Sequence, residues 1–107
     1  MSAMRHDSPE VLEALDTAWD PERGYLGNLR DGRFVPALGD AYLELLRSID
    51  IPEGERLHPD FVRVLWFAPQ FCEWQTERVI ERGADRVHLT RYSNLIWTAV
   101  TELLGPP

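Results

Sequence analysis

Pro69 falls inside the longest helical pattern of the chain, residues 59 to 82, and no straight helix runs through it undisturbed. A proline within a helix removes one backbone hydrogen bond and collides with the preceding turn, at a cost of about 3 kcal/mol. The segment therefore kinks there, or divides into two helices that meet at residues 67 to 69. Which of the two happens decides where an unusual density of aromatic residues points. Phe61, Trp66, Phe67, Phe71 and Trp74 all lie within this segment.

Three other segments carry the helical period. Ser8 is a capping residue, Pro9 suits the first helical position and Glu10 favours the positive end of the helix dipole. Val11, Leu12, Leu15, Ala18 and Trp19 then form one apolar stripe, which Pro21 ends. From Pro36 to Ile49, Leu38, Ala41, Tyr42, Leu45, Leu46 and Ile49 share a face, with Gly39 weakening the first turn. Pro59 and Asp60 repeat the opening of Pro9 and Glu10, and Gly83 is a natural C-cap. Tyr92, Leu95, Ile96, Ala99, Val100 and Leu103 make the last stripe, closed by Gly105, Pro106 and Pro107.

The spacing thus predicts an all-α bundle of four to five amphipathic helices, over about 9–20, 36–49, 59–82 (kinked or broken near Pro69) and 91–104. Residues 22 to 35 read as a loop or a small hairpin, because Asp31-Gly32 is a favoured hairpin turn but its flanks are short and do not alternate. Residues 84 to 90 suit either a loop or the opening turns of the last helix. The expected core is Leu15, Trp19, Tyr42, Leu45, Phe61, Leu65, Cys72, Leu95, Ile96, Val100 and Leu103.

A chain of 107 residues with 44% apolar and 27% charged side chains is expected to fold as one domain, residues 1 to 107, without a metal or disulfide staple. No uncharged run approaches the roughly 20 residues of a membrane span. The first ten residues, MSAMRHDSPE, lack the apolar region of a signal peptide, and Cys72 has no partner for an intrachain disulfide. A cytoplasmic protein is the expectation. All eleven basic residues are arginine, a bias expected of a GC-rich bacterial genome.

The net charge is −7, and residues 7 to 22 hold Asp7, Glu10, Glu13, Asp16, Asp20 and Glu22 with no base among them. That sign opposes phosphate binding and argues against direct contact with nucleic acid. It suits a basic protein partner, whose encounter a negative field accelerates.

Templates for catalysis are missing: there is no phosphate loop, HExxH, CxxC or GxSxG. His6, His58 and His88 are too dispersed for a metal site, and His58 before Pro59 reads as a helix cap. Cys72 falls on the buried stripe, unlike a reactive thiolate. Carboxylate pairs such as Glu73 with Glu77 lack the Glu-x-x-His companion of helical di-iron sites. No metal or cofactor is expected.

On a straight helix with Phe61 at zero, Leu65, Ala68, Cys72 and Val79 lie within about 40° of its line. Phe67 and Trp74 lie on another side, with Arg63 and Glu77, and Trp66 towards the opposite border. Aromatic residues edged by arginine have the composition of an interface hot spot. The leading expectation is a non-enzymatic acidic protein-binding module, of the immunity or antitoxin type, that blocks a basic protein. Its binding residues would be Glu13, Asp16, Asp20, Arg63, Trp66, Phe67, Trp74 and Glu77. The alternative is a small helical enzyme or ligand-binding bundle with a pocket of Trp66, Phe71, Trp74 and Trp97. Pairing of the aromatic patch with itself in a homodimer is the third reading.

Overall fold

Proline and capping chemistry set most helix starts. In the computed structural model, which describes residues 4–105, the Val11 N–H donates to Ser8 Oγ at 3.2 Å and Pro9 opens α1, Pro9–Thr17. Pro36 opens α3, Pro36–Ser48, and Pro59 opens α4, Pro59–Leu65, where the Asp60 N–H donates to His58 Nδ1 at 3.0 Å. The cap expected of His58 is thus present. Between α1 and α3 lies α2, Tyr25–Arg30; after α4 come α5, Ala68–Glu81, and α6, Arg86–Leu104. The chain is all-α, with a two-residue parallel strand pair: β1 (Met4–Arg5) beside β2 (Ile49–Asp50), in register Met4 to Ile49. No helix among the described residues is long and apolar enough to cross a membrane. The closing prolines, Pro106 and Pro107, and the first three residues lie outside the described range.

Pro69 divides the long pattern. Trp66 ends α4, Phe67 stands between the helices, and Pro69 occupies the first turn of α5, where a missing N–H costs no hydrogen bond. The Trp66 N–H still donates to the Val62 carbonyl at 2.9 Å, and the Phe71 N–H to that of Phe67 at 2.8 Å. Gly83, at φ +109°, ends α5 with the paired bonds of a Schellman turn: Gly83 N–H to Ile80 and Ala84 N–H to Val79.

Residues 22 to 35 are not a loop or a hairpin. They hold α2, whose Tyr25, Leu26, Gly27, Asn28 and Leu29 are all buried. The N–H groups of Leu26 and Gly27 donate to the Ala18 carbonyl at 3.0 and 3.1 Å, so α2 caps the end of α1. That approach requires Gly24 and Gly27, where a Cβ would stand 2.1 Å from the Ala18 and Asp20 carbonyl oxygens. Asp31-Gly32 does turn, with Gly32 at φ +83°, but as the C-cap of this helix. Tertiary contact, not periodicity, sustains so short a helix.

The other boundaries move for similar local reasons. α1 stops at Thr17 rather than residue 20, because Trp19 and Asp20 already turn towards α2. α6 begins at Arg86, capped by Asp85, whose carboxylate accepts the His88 N–H at 2.8 Å.

α5 and α6 form an antiparallel hairpin with the most extensive contact in the molecule; α1 packs on α4, and α2 on α5 and α3. Leu15, Tyr42, Phe61, Leu65, Cys72, Ile96 and Val100 are buried as expected. Trp19, Leu45, Leu95 and Leu103 are half-buried against that core. Leu26, Leu29, Phe71 and His6 join it from outside the expected set.

Candidate interaction surface

Three tryptophans stand outward, two flanking the break at Pro69 and one on α6. Trp66 is 59% exposed, Trp74 65% and Trp97, on α6, 60%. Phe67 is half-buried between them, with its ring centroid 5.4 Å from Trp66 and 5.1 Å from Trp74. Behind it the aromatic contact runs inward through Phe71, at 6.1 Å, to Trp19, 5.0 Å further on. Trp19 is locked by its indole N–H, which donates to the Val64 carbonyl at 2.9 Å. The rings of Trp66 and Trp74 therefore stand on a braced aromatic column rather than on a loose surface.

Trp66, Phe67, Gln70, Trp74, Trp97 and Leu104 border one depression of about 530 Å³. Its rim rings are mostly in water, so it is a shelf rather than an enclosed pocket. Phe71 is buried behind Phe67 and does not border it. Pro69 and Trp97 also border a second depression, about 640 Å³, along the seam between α5 and α6. Glu73, Glu77, Thr76 and Asn94 line that seam.

The charged candidates divide. Glu77 is gripped by Arg86 through two parallel bonds, Nη1 to Oε1 at 2.9 Å and Nη2 to Oε2 at 3.1 Å. Hydrogen bonding to that guanidinium holds the Glu77 carboxyl below its usual range. Arg63 pairs with Asp60 on the solvent side of α4. Asp20 Oδ2 accepts the N–H groups of Arg23 at 2.8 Å and Glu22 at 3.0 Å, which lowers its pKa and commits it to the α1–α2 turn. Glu13 lies elsewhere, on a groove of about 510 Å³ between α1 and α3 that it shares with Glu10, Tyr25, Leu38 and Tyr42. Asp16 is exposed on α1 and borders neither depression of the α5–α6 face. Thus Trp66, Phe67 and Trp74 come together on one surface, Glu77 lies in the adjoining seam, and Glu13 borders a different groove.

Trp97 is not among the partner-binding residues expected from the sequence, which names it only in the alternative pocket with Trp66, Phe71 and Trp74. Only the packing of α6 against α5 brings it to the same depression as Trp74. Cys72 is buried, and that burial pushes its thiol up to about 12. No cluster of three metal-ligating side chains occurs among the described residues. No family model matches the chain, and neither a curated protein nor a solved structure matches it.

Proposed function

We propose that this chain is a non-enzymatic protein-binding module that docks a partner on the Trp66–Phe67–Trp74–Trp97 shelf. The observation that carries the reading is the exposure of three tryptophans, each about 60%, around one depression. Tryptophan is the residue most favoured at hot spots, and a monomer has little reason to leave three in water together. Covering roughly 100 Å² of each ring is worth about 2.5 kcal/mol per ring at about 25 cal/mol/Å². The net charge of −7 selects a basic partner, and an immunity- or antitoxin-type protein that occludes a basic toxin fits small size and acidity together. The openness of the shelf to water disfavours the small-molecule reading, since ligand pockets cover most of their ligand.

Photo-crosslinking tests this directly. Benzoylphenylalanine placed at Trp66, Trp74 or Trp97, in the cells that encode the protein, should capture one recurring basic protein. The same group at Val87, which is 79% exposed on the first turn of α6, should not. Equal labelling from Val87 and the tryptophans would remove the basis for the reading. A cross-linked species of twice the chain mass would identify self-association in its place.

A further inference from the structure

No charged side chain lines the shelf, and its polar members are Gln70 and Thr101. The carboxylates of this acidic chain therefore do not meet a partner there. The shelf is electronegative by other means: the faces of its indole rings, and the carboxyl end of α6, whose Leu104 and Gly105 close one end of the depression. Resting on the docking reading above, we infer that the partner places an arginine at this end, stacked on Trp66 and donating to the open carbonyls of α6, while Trp74 and Trp97 take its apolar neighbour.

The end of α6 is left without donors by its own sequence. The Gly105 N–H donates to the Thr101 carbonyl at 2.8 Å. The carbonyls of Glu102 and Leu103 would next take the N–H groups of residues 106 and 107, but both are proline and have none. No basic residue stands in the last turn to replace them. The 19 residues of α6 thus close on roughly half a negative charge beside the aromatic rings. Elsewhere in the molecule arginine supplies such donors. Arg78 of α5 donates to the Leu29 and Arg30 carbonyls at the end of α2, and Arg30 Nη2 donates to the Trp19 carbonyl just past α1 at 2.6 Å.

The rings meet the same requirement. The α5–α6 hairpin turns at Gly83, so Trp66 and Phe67, before the start of α5, lie at the end of the shelf where α6 stops. Trp66 is exposed and tilted 49° from Phe67, which leaves an indole face open to a cation. A guanidinium suits both elements at once, because its plane stacks on the indole while its N–H groups point outward in that plane. An ammonium is more strongly hydrated and has no plane to stack, and a quaternary ammonium has no N–H to give. The partner segment that fits is an arginine beside a leucine or an aromatic residue.

The test is an NMR titration of the full chain, uniformly labelled, with Ac-Gly-Leu-Arg-Leu-Gly-amide and its citrulline and lysine counterparts. The indole N–H signals of Trp66, Trp74 and Trp97 report the shelf, and the carbonyl carbons of Glu102 and Leu103 report the end of α6. Arginine should bind about fivefold more tightly than citrulline, which keeps the shape and loses the charge, and more tightly than lysine. Both carbonyl signals should move with the arginine peptide. Trp66→Leu should erase the preference, whereas Trp97→Leu should weaken all three peptides alike. Glu102→Arg, which puts a cation in the last turn of α6, should also erase it, and Glu102→Gln should keep it. Equal affinity for the three peptides, with the indole signals still shifting, would overturn the arginine site and leave the docking shelf standing. A preference that survives Trp66→Leu or Glu102→Arg would overturn it as well. Absence of shifts at every indole with millimolar arginine peptide would count against the arginine site and the shelf together.

Discussion

The buried imidazole of His6 accepts the backbone N–H of His58 at Nε2, at 3.0 Å, across 52 residues of sequence. The His58 ring separately accepts the Asp60 N–H at Nδ1, so the backbone of His58 is tied to His6 while its side chain caps α4. His6 also meets Phe61 edge-on, with centroids 5.0 Å apart, and follows β1 directly. Residues 4 to 6 are thereby tied to the core. His6→Ala should destabilise the protein by about 2–4 kcal/mol, since it opens a cavity beside Phe61 and leaves the part-buried His58 N–H without its partner. His58→Ala, which removes a cap alone, should cost about 1 kcal/mol. Urea unfolding of both variants checks the difference; equal losses would show that the ring of His6 adds nothing beyond its hydrogen bond.

Gly27 should tolerate no side chain. A Cβ there would lie 2.1 Å from the Asp20 carbonyl oxygen, and the obstacle is backbone. Gly27→Ala in an open helix would gain up to about 1 kcal/mol from propensity. Here it should instead cost about 2–3 kcal/mol by prising α2 from the end of α1. Gly39 offers a milder comparison, because its obstacle is the Tyr92 ring at 2.8 Å, itself held by a hydroxyl bond to Asp40 at 2.5 Å. Thermal unfolding of the two alanine variants should rank Gly27→Ala as the more damaging.

Acid should weaken the fold through exposed carboxylates. Asp20, bonded to backbone N–H groups, and Glu77, bonded to Arg86, have lowered pKa values in the folded state. A lowered folded value means that their stabilisation is fully present above the unfolded carboxyl range, about pH 4, and is lost as pH falls through the folded value. The urea midpoint should therefore hold from pH 7 to about 5 and decline below about 4. Asp20→Ala with Glu77→Gln should lower the plateau and flatten that decline.

Cys72 should be silent in the native protein. With its thiol raised to about 12 by burial, it should resist iodoacetamide at pH 8 and react promptly in urea at the same pH. Labelling that proceeds in the native protein faster than global unfolding allows would contradict this burial.

The shelf should be separable from stability. Trp66→Gln, Trp74→Gln and Trp97→Gln remove exposed rings and should each shift stability by less than about 1 kcal/mol, whereas Phe71→Ala should cost about 3–5 kcal/mol. Denaturation curves of the four variants decide it. Large losses at the three tryptophans would mean that their rings serve the fold.

The sequence by itself determined the all-α class, the proline-led starts of α1, α3 and α4, and a kink or break near Pro69, which the structure resolves as a division into two helices. These are local matters: a proline's fixed φ and missing N–H, a capping oxygen, a 3.6-residue stripe. It also separated Trp66 and Trp74 from the stripe of Phe61, Leu65 and Cys72, because the phase of a short helix survives a break at its end. Tertiary structure alone decided that residues 25 to 30 are a helix. Their spacing carries no stripe, and their first N–H groups find acceptors only in the Ala18 carbonyl of another helix. It alone decided that His6 is core, since nothing near it in sequence needs it there. It also brought Trp97 of α6 to the same depression as Trp74 of α5, because residues on two helices share a surface only once those helices have packed.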